Sequence, residues 1–149
     1  MKCLSVSQPF ADLIILGKKT IELRNWNTNF RGEFLIHSPL KIRVDDCNRL
    51  KMNKKFVTGA IIGKAELYDV KKYNSLKEIK SDKKFHLSSK NFQNKTWGFM
   101  LKKPKSFRIP IPCKGQLGFF DVEIPKTKNK DIVTDIIDEE YRYQWIGHH

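Results

Sequence analysis

The chain has 149 residues, of which 40% are hydrophobic and 11% aromatic, and it carries 29 Lys and Arg against 16 Asp and Glu. This composition is typical of one folded domain and argues against a disordered chain. No apolar run approaches the ~20 residues that cross a bilayer, and no signal peptide opens the chain, so we expect no membrane association. Its three widely spaced cysteines form neither a disulfide framework nor a CxxC motif, which favours a cytoplasmic protein. We also expect a monomer without a metal site or a cofactor.

The positive charge is unevenly distributed along the chain. Residues 1–120 hold 25 basic and 9 acidic side chains, whereas residues 121–149 hold 4 and 7. Residues 83–120 hold nine basic side chains and no acidic one. A surface of this kind attracts polyanions such as nucleic acids, with an affinity that falls steeply with salt. The alternative is that the lysines reflect the coding bias of the organism.

The chain opens with a predicted strand at residues 3–6, followed by a helix that begins at Pro9, where a missing backbone N–H is tolerated. Ser7 is placed to cap this helix. Gly17 is placed to end it in a left-handed conformation.

The next segment alternates in polarity and predicts a strand at residues 20–26, with Glu22 and Arg24 on the same face. A further strand is predicted at residues 33–37. After Pro39, residues 40–50 can form a short helix. The apolar side of that helix would be Leu40, Val44 and Cys47.

The remaining predicted strands are residues 56–70, 97–101, 107–111 and 115–124. Gly59 and Gly63 interrupt the first of these, as glycines do at bulges in small barrels. A polar excursion with a helix near residues 75–84 precedes the second. Residues 102–105 are predicted to be a basic turn, and two prolines make residues 107–111 an edge strand.

Around six short strands and a few helices predict an α+β fold, a small mixed β-barrel over residues 1–125. Residues 126–149 are predicted to be a linker and an acidic amphipathic helix. That helix could pack on the barrel or recruit a partner. His148 and His149 are given no role.

Several fixed spacings near the start of the chain resemble the signature of the ASCH family, a member of the PUA-like superfamily. The matching residues are Ser7-Gln8-Pro9-Phe10-Ala11, Gly17-Lys18-Lys19-Thr20-Ile21-Glu22-Leu23-Arg24, Trp26, Arg31-Gly32 and Ile36-His37. Residues 56–68 and 109–125 are similar to the later strands of the family, so the resemblance covers roughly residues 2–125. It implies a PUA-like β-barrel whose Gly-x-Lys-x-x-Glu-x-Arg stretch lines a substrate cleft.

The candidate catalytic residues are Lys19, Glu22 and Arg24. One interpretation is a turn lysine beside a partly exposed ion pair worth ~0–1 kcal/mol. The other is a cleft in which the two cations hold a phosphate or polarise a carbonyl while Glu22 moves protons, its pKa raised by burial.

The resemblance also implies an enzymatic alternative. Some small bacterial ASCH proteins are amidohydrolases that act on N4-acetylcytidine with a lysine, a threonine and a glutamate. The lysine corresponds to Lys19, but Glu22 stands at the threonine position. No carboxylate stands in the segment of the glutamate, which here contains Lys83, Lys84 and His86.

The candidate residues for binding a substrate or a nucleic acid are of three kinds. Trp26 and Trp97 could stack a base, although each could instead be a core or cleft-wall aromatic. Hydrogen bonds to a ligand could come from Ser7, Gln8, His37 and Ser38. Phosphates could be held by Arg31, Lys102, Lys103, Lys105 and Arg108.

We therefore expect an RNA-binding or single-stranded nucleic-acid-binding module, whose cleft takes a single nucleotide that could be modified. The first alternative is an amidohydrolase that acts on an N-acylated nucleoside. The second is a structural adaptor whose acidic helix recruits a basic partner.

Overall fold

The computed structural model describes residues 1–89 and 95–124. The strands are β1 (Lys2–Ser5), β2 (Ile21–Arg24), β3 (Gly32–Ser38), β4 (Ala60–Tyr73), β5 (Thr96–Pro112) and β6 (Phe119–Asp121). The helices are α1 (Phe10–Ile15), α2 (Val44–Arg49), α3 (Leu76–Ser81) and α4 (Lys83–His86). The predicted mixture of about six strands and a few short helices is confirmed. The predicted acidic helix and its linker lie outside the described residues.

The six strands form one mixed sheet in the order β2-β5-β4-β3-β1-β6. Strands β1 and β3 pair in parallel, and every other neighbouring pair is antiparallel. Apolar side chains fill both faces. The larger core lies between α1 and the sheet, and a smaller one around Leu35, Ile61 and Phe120 lies on the other face.

The prediction of a closed barrel is wrong, because β2 and β6 are the two edges of the sheet and no strand pairing joins them within the described residues. Side chains fill the gap instead. Trp26, just after β2, and Phe119 in β6 meet edge to face with ring centroids 5.8 Å apart. The sheet therefore curls around its larger core without closing its hydrogen-bond ladder.

The bulge predicted at Gly63 is confirmed, since the register between β4 and β5 shifts between Ile61 and Gly63. A Cβ at Gly63 would collide with the carbonyl oxygen of Lys105 and with Cδ1 of Ile15. Only glycine fits there, because a backbone carbonyl cannot move out of the way.

The prediction of a turn at residues 102–105 is wrong, because β5 runs without interruption through them. Lys102 pairs with Glu66 and Lys105 with Lys64, so three steps along β5 match two along β4. Lys103, at φ +52°, takes up the extra residue in a bulge. The edge character of residues 107–111 is confirmed, because within the part of the chain that the structure describes β2 pairs with residues 97–100 at the start of β5 and not with residues 107–111.

Helix α2 lies where a helix was predicted, and Cys47 on its predicted apolar side is buried, but the prediction is wrong for Leu40 and Val44. Leu40 and Val44 are 79% and 61% exposed. The buried residues of α2 are Asp46 and Cys47, so a carboxylate faces inwards. The physical reason is that two arginines neutralise this carboxylate where it is buried.

Within the described residues, no helix is long and apolar enough to span a membrane. Among the same residues, no group of three or more His, Cys, Asp or Glu side chains is placed to hold a metal ion.

Candidate functional site

The candidate site is a cleft of about 560 Å³ that lies where β1 leads into α1, beside β2 and the start of β5. Its lining residues are Ser5, Val6, Ser7, Phe10, Lys19, Glu22, Leu23, Arg24, Asn25, Trp26, Arg43, Ser88, Lys95 and Thr96. Four of these side chains are cationic and one is acidic. The cleft therefore combines an excess of positive charge with two aromatic rings.

Lys19 reaches the floor of the cleft because α1 ends just before it. Gly17 adopts φ +77°, as predicted for a left-handed C-cap, and the backbone N–H of Lys19 donates to the carbonyl of Leu13. The ammonium of Lys19 donates to the carbonyls of Ile21 at 2.8 Å and His86 at 2.5 Å. It also lies 3.2 Å from Oε1 of Glu22. Because an ammonium has three protons, these three acceptors engage all of them.

Glu22 and Arg24 lie on one face of β2, as the alternation of the sequence predicts. Nε and Nη2 of Arg24 donate to Oε2 of Glu22 at 3.1 and 2.8 Å. Nη2 also donates to the carbonyl of Ser5 at 2.7 Å, which ties β2 to the end of β1. Nη1 of Arg24 makes no hydrogen bond to the described residues, and its side chain is 21% exposed. Arg24 therefore has two N–H donors left for a ligand.

The expected rise in the pKa of Glu22 is wrong. Burial alone would raise it, but the positive charges of Lys19 and Arg24 outweigh burial and lower the pKa of Glu22 below its ordinary value. Burial also lowers the pKa of Lys19, against the opposing effect of Glu22. Glu22 is therefore an ionised counterion between two cations, and a weak base.

The walls of the cleft combine aromatic rings with further cations. The ammonium of Lys19 lies 4.9 Å from the ring centroid of Phe10. The ring of Trp26 packs edge to face on Phe99, with centroids 5.1 Å apart, and stays only partly buried. Arg43 and the exposed Lys95 are the further cations that line the cleft.

Five of the residues predicted from the sequence line this cleft: Lys19, Glu22, Arg24, Ser7 and Trp26. Ser7 does not cap α1 with its hydroxyl as predicted. Its backbone carbonyl accepts from the N–H of Phe10 at 3.0 Å, and no side chain among the described residues caps the start of α1. The hydroxyl of Ser7 is therefore not engaged as a helix cap.

Four other predicted binding residues, of which Arg31 is exposed and the other three are buried or partly buried, do not line the cleft. The amide of Gln8 donates to Asp12 at 2.8 Å and to the carbonyl of Val57 at 3.2 Å, and Ser38 donates to the same carbonyl at 2.9 Å. Arg31 donates to two carbonyls of its own loop. Trp97 packs against the larger core and does not line the cleft.

His37 lines a separate cavity of about 850 Å³. Its Nε2 lies 2.7 Å from the carbonyl of Cys113, which can only accept, so Nε2 carries the proton. Nδ1 then accepts from the hydroxyl of Ser5 at 2.9 Å. Burial lowers the pKa of His37, although the bond to Cys113 opposes this. The histidine is therefore a neutral link between β1 and residue 113.

The basic residues predicted along β5 do not line the cleft. They are Lys102, Lys103, Lys105 and Arg108. Lys102 pairs with Glu66 at 3.2 Å and lies over the ring of Tyr68. Lys103 and Lys105 are exposed on and beside the bulge.

Sequence reasoning missed Arg43, Lys95 and Thr96 as residues of the cleft. Arg43 carried one signal, an aspartate three residues later on the same helix, which is the spacing of an ion pair. Lys95 and Thr96 carried none, because they reach the cleft only through the pairing of β5 with β2.

Comparison with known proteins gives relatives of one kind. The ASCH domain family profile matches residues 4–111. Activating signal cointegrator 1 of Homo sapiens is 29% identical over 126 residues, which cover 76% of this chain and 21% of that protein. The chain thus spans about a fifth of the length of this relative.

Two solved structures share the fold. The crystal structure of ASCH from Zymomonas mobilis has a TM-score of 0.62 at 16% identity, covering 82% of this chain and 87% of that one. A mutant of the Zymomonas mobilis protein has a TM-score of 0.56 at 18% identity, covering 74% and 73%. Identities this low support the fold alone.

Proposed function

The chain belongs to the ASCH domain family, which is associated with RNA binding, and from this premise we propose that its cleft binds one nucleotide of a single-stranded RNA. The observation that carries the proposal is the chemistry of the cleft. Cations with unengaged donors face the same space as a partly exposed tryptophan. The volume of about 560 Å³ lies within the range of small-molecule sites and suits a nucleotide, modified or not.

Arg24 is the residue best placed to contact a phosphate or a base edge from the floor. Its Nη1 N–H groups are unengaged by the described residues, while Nε and Nη2 fix its orientation through Glu22 and Ser5. A guanidinium oriented in this way loses little conformational freedom on binding. Glu22 thus acts through Arg24 and needs no proton transfer.

Trp26 supplies the surface on which a base would stack. Edge-to-face packing on Phe99 and Phe119 fixes the orientation of the indole ring, which stays partly exposed in the cleft. Stacking of one base on an aromatic side chain contributes ~1–3 kcal/mol and tolerates any base.

The amidohydrolase alternative has less support. The ammonium of Lys19 has all three protons engaged by protein acceptors, so it could hold an oxyanion only by giving one up. Glu22 stays ionised because two cations lower its pKa, so it is not available as an acid. Both features favour a site that binds over one that hydrolyses an amide.

The proposal is tested with a matched pair of lysines, Lys95 just before β5 and Lys105 within it. Lys95 lines the cleft and Lys105 does not, yet both are exposed. Binding of a fluorescein-labelled single-stranded RNA is measured by anisotropy at several salt concentrations. We expect Lys95→Ala to reduce the slope of log K against log salt by ~0.7 and Lys105→Ala to leave it unchanged.

Trp26→Ala extends the test to stacking and should weaken binding by about 5- to 150-fold. Equal effects of the two lysine variants would place the RNA elsewhere on the basic surface. Absence of binding by the wild-type protein at low salt would refute the proposal altogether.

A further inference from the structure

Asp46 is a buried carboxylate that joins two arginines beside the cleft. It is 5% exposed, and each of its oxygens accepts from one arginine, while Oδ1 also accepts from the hydroxyl of Ser89 at 3.5 Å. Nε of Arg43 donates to Oδ2 at 2.7 Å, and Nη2 of Arg49 donates to Oδ1 at 3.0 Å. Burial alone would raise the pKa of Asp46, but hydrogen bonds from the two arginines lower it, so the carboxylate stays ionised.

The two arginines share Asp46 as their ion-pair partner, and one of them belongs to the cleft. Arg43 lines the cleft itself. Arg49 does not, but its Nη2 also donates to the carbonyl of Leu87 at 2.6 Å, directly before Ser88 in the cleft wall. Because both guanidiniums bind one carboxylate, they are held side by side at the edge of the proposed nucleotide site.

Most donors of the two guanidiniums remain available. Arg43 uses only Nε, and Arg49 uses only Nη2, in hydrogen bonds to the described residues. Their side chains are 35% and 29% exposed, so the unengaged N–H groups can reach a ligand. Planar guanidiniums fixed by a carboxylate suit the oxygens of a phosphate, which they can bind in pairs.

We propose that Arg43 and Arg49, held side by side by Asp46, form a phosphate-binding subsite for the phosphodiester next to the nucleotide in the cleft. This subsite rests on the proposed function, since it extends the path of the RNA beyond the cleft. It directs that path towards α2, which carries Arg49. Asp46 is a positioning residue in this arrangement and does not touch the RNA.

A matched pair of charge removals on one segment tests the subsite. Arg49→Gln removes an anchored cation outside the cleft, and Lys51→Asn removes an exposed cation two residues later. Asparagine tolerates the φ of +55° at residue 51, so the control adds no backbone strain. With labelled single-stranded RNA, we expect Arg49→Gln to weaken binding about tenfold and to reduce the salt slope by ~0.7. Lys51→Asn should change affinity by less than about twofold.

Asp46→Asn separates positioning of the arginines from simple long-range attraction, because the two predict opposite changes in RNA affinity. The substitution raises the net charge by one, so a purely long-range attraction would tighten RNA binding. If Asp46 positions the arginines, binding weakens despite the added charge. Arg49→Lys keeps the charge and loses the planar fork, and it should weaken binding as Arg49→Gln does.

The arginines could instead only fasten α2 to residues 87–89, and thermal unfolding separates this role from the subsite. The subsite is overturned if Arg49→Gln lowers the melting temperature while binding RNA like Lys51→Asn. If Trp26→Ala and Lys95→Ala weaken binding in the same assay, that result leaves the nucleotide cleft standing. If neither does, the proposed function itself has failed.

Discussion

Glu22→Gln should destabilise the fold strongly, because it removes the counterion from a lysine whose side chain is almost fully buried. The side chain of Lys19 is 1% exposed and relies on Glu22 at 3.2 Å for its only described ion pair. Arg24 also loses its partner, but its side chain is 21% exposed and can be hydrated. Most of the loss of stability therefore comes from the unpaired ammonium of Lys19.

Two independent arguments give the magnitude at pH 7. Breaking one partner of a buried ion pair costs about 3–5 kcal/mol. The lysine can instead release its proton, which from its ordinary pKa of 10.5 costs at most about 5 kcal/mol at pH 7. Release of the proton costs less at higher pH, and at pH 9 its free-energy cost is at most about 2 kcal/mol. The loss of stability should thus shrink by up to about 3 kcal/mol between pH 7 and pH 9.

Urea unfolding at the two pH values measures both quantities. The control is Glu33→Gln, whose carboxylate is 56% exposed and lies 4.0 Å from Lys64, and we expect a change below about 0.5 kcal/mol. Lys19→Met combined with Glu22→Gln removes both buried charges and should recover most of the loss. A loss below about 1 kcal/mol at pH 7, or one that does not change with pH, would refute this account of the cluster.

Four further predictions follow from the same structure. Gly63→Ala should destabilise the fold by about 3 kcal/mol in urea unfolding, because its Cβ would collide with the carbonyl oxygen of Lys105; a change below about 0.5 kcal/mol would contradict the packing. Burial lowers the pKa of His37 and His86 from 6.5, so as the pH falls these histidines are protonated in the unfolded chain before they are protonated in the folded protein. The free energy of unfolding should therefore fall as the pH drops below about 6.5, by at most about 1.4 kcal/mol per pH unit for each histidine. His37→Gln should make this slope shallower in melting experiments between pH 7.5 and 5, and an unchanged slope would show that His37 does not contribute. Incubation with N4-acetylcytidine should give no product; deacetylation that a Glu22→Gln control lacks would restore the amidohydrolase alternative. Deleting residues 126–149 removes five carboxylates between positions 131 and 140 and should tighten RNA binding, whereas an unfolded product would show that the segment belongs to the core.

The local parts of the site could be predicted from the sequence. Alternation along residues 20–26 places Glu22 and Arg24 on one face of β2. Gly17 predicts where α1 ends, and therefore where the turn that carries Lys19 begins. These features depend on neighbours within a few residues. The sequence could not predict that the carbonyl of His86, 67 residues away, engages Lys19.

The same distinction explains the wrong predictions. The pKa of Glu22 depends on whether two cations at close range outweigh burial, which requires their positions. Residues 102–105 have the composition of a turn. The residues before and after them both pair with β4, however, so the whole stretch forms one continuous strand. Leu40 and Val44 on the predicted apolar side of α2 are exposed, whereas Asp46, bound to two arginines, is buried beside Cys47.

The central claim is that the cleft between α1, β2 and the start of β5 binds one nucleotide of RNA. Its most direct test is a titration of ¹⁵N-labelled protein with a short single-stranded RNA, followed by NMR. We predict that the indole N–H of Trp26 and the backbone amides of Ser7, Asn25 and Thr96 shift first and saturate together, while Lys102 and Lys105 shift little. Shifts that centre on Lys102 and Lys105 and leave Trp26 unmoved would contradict the claim.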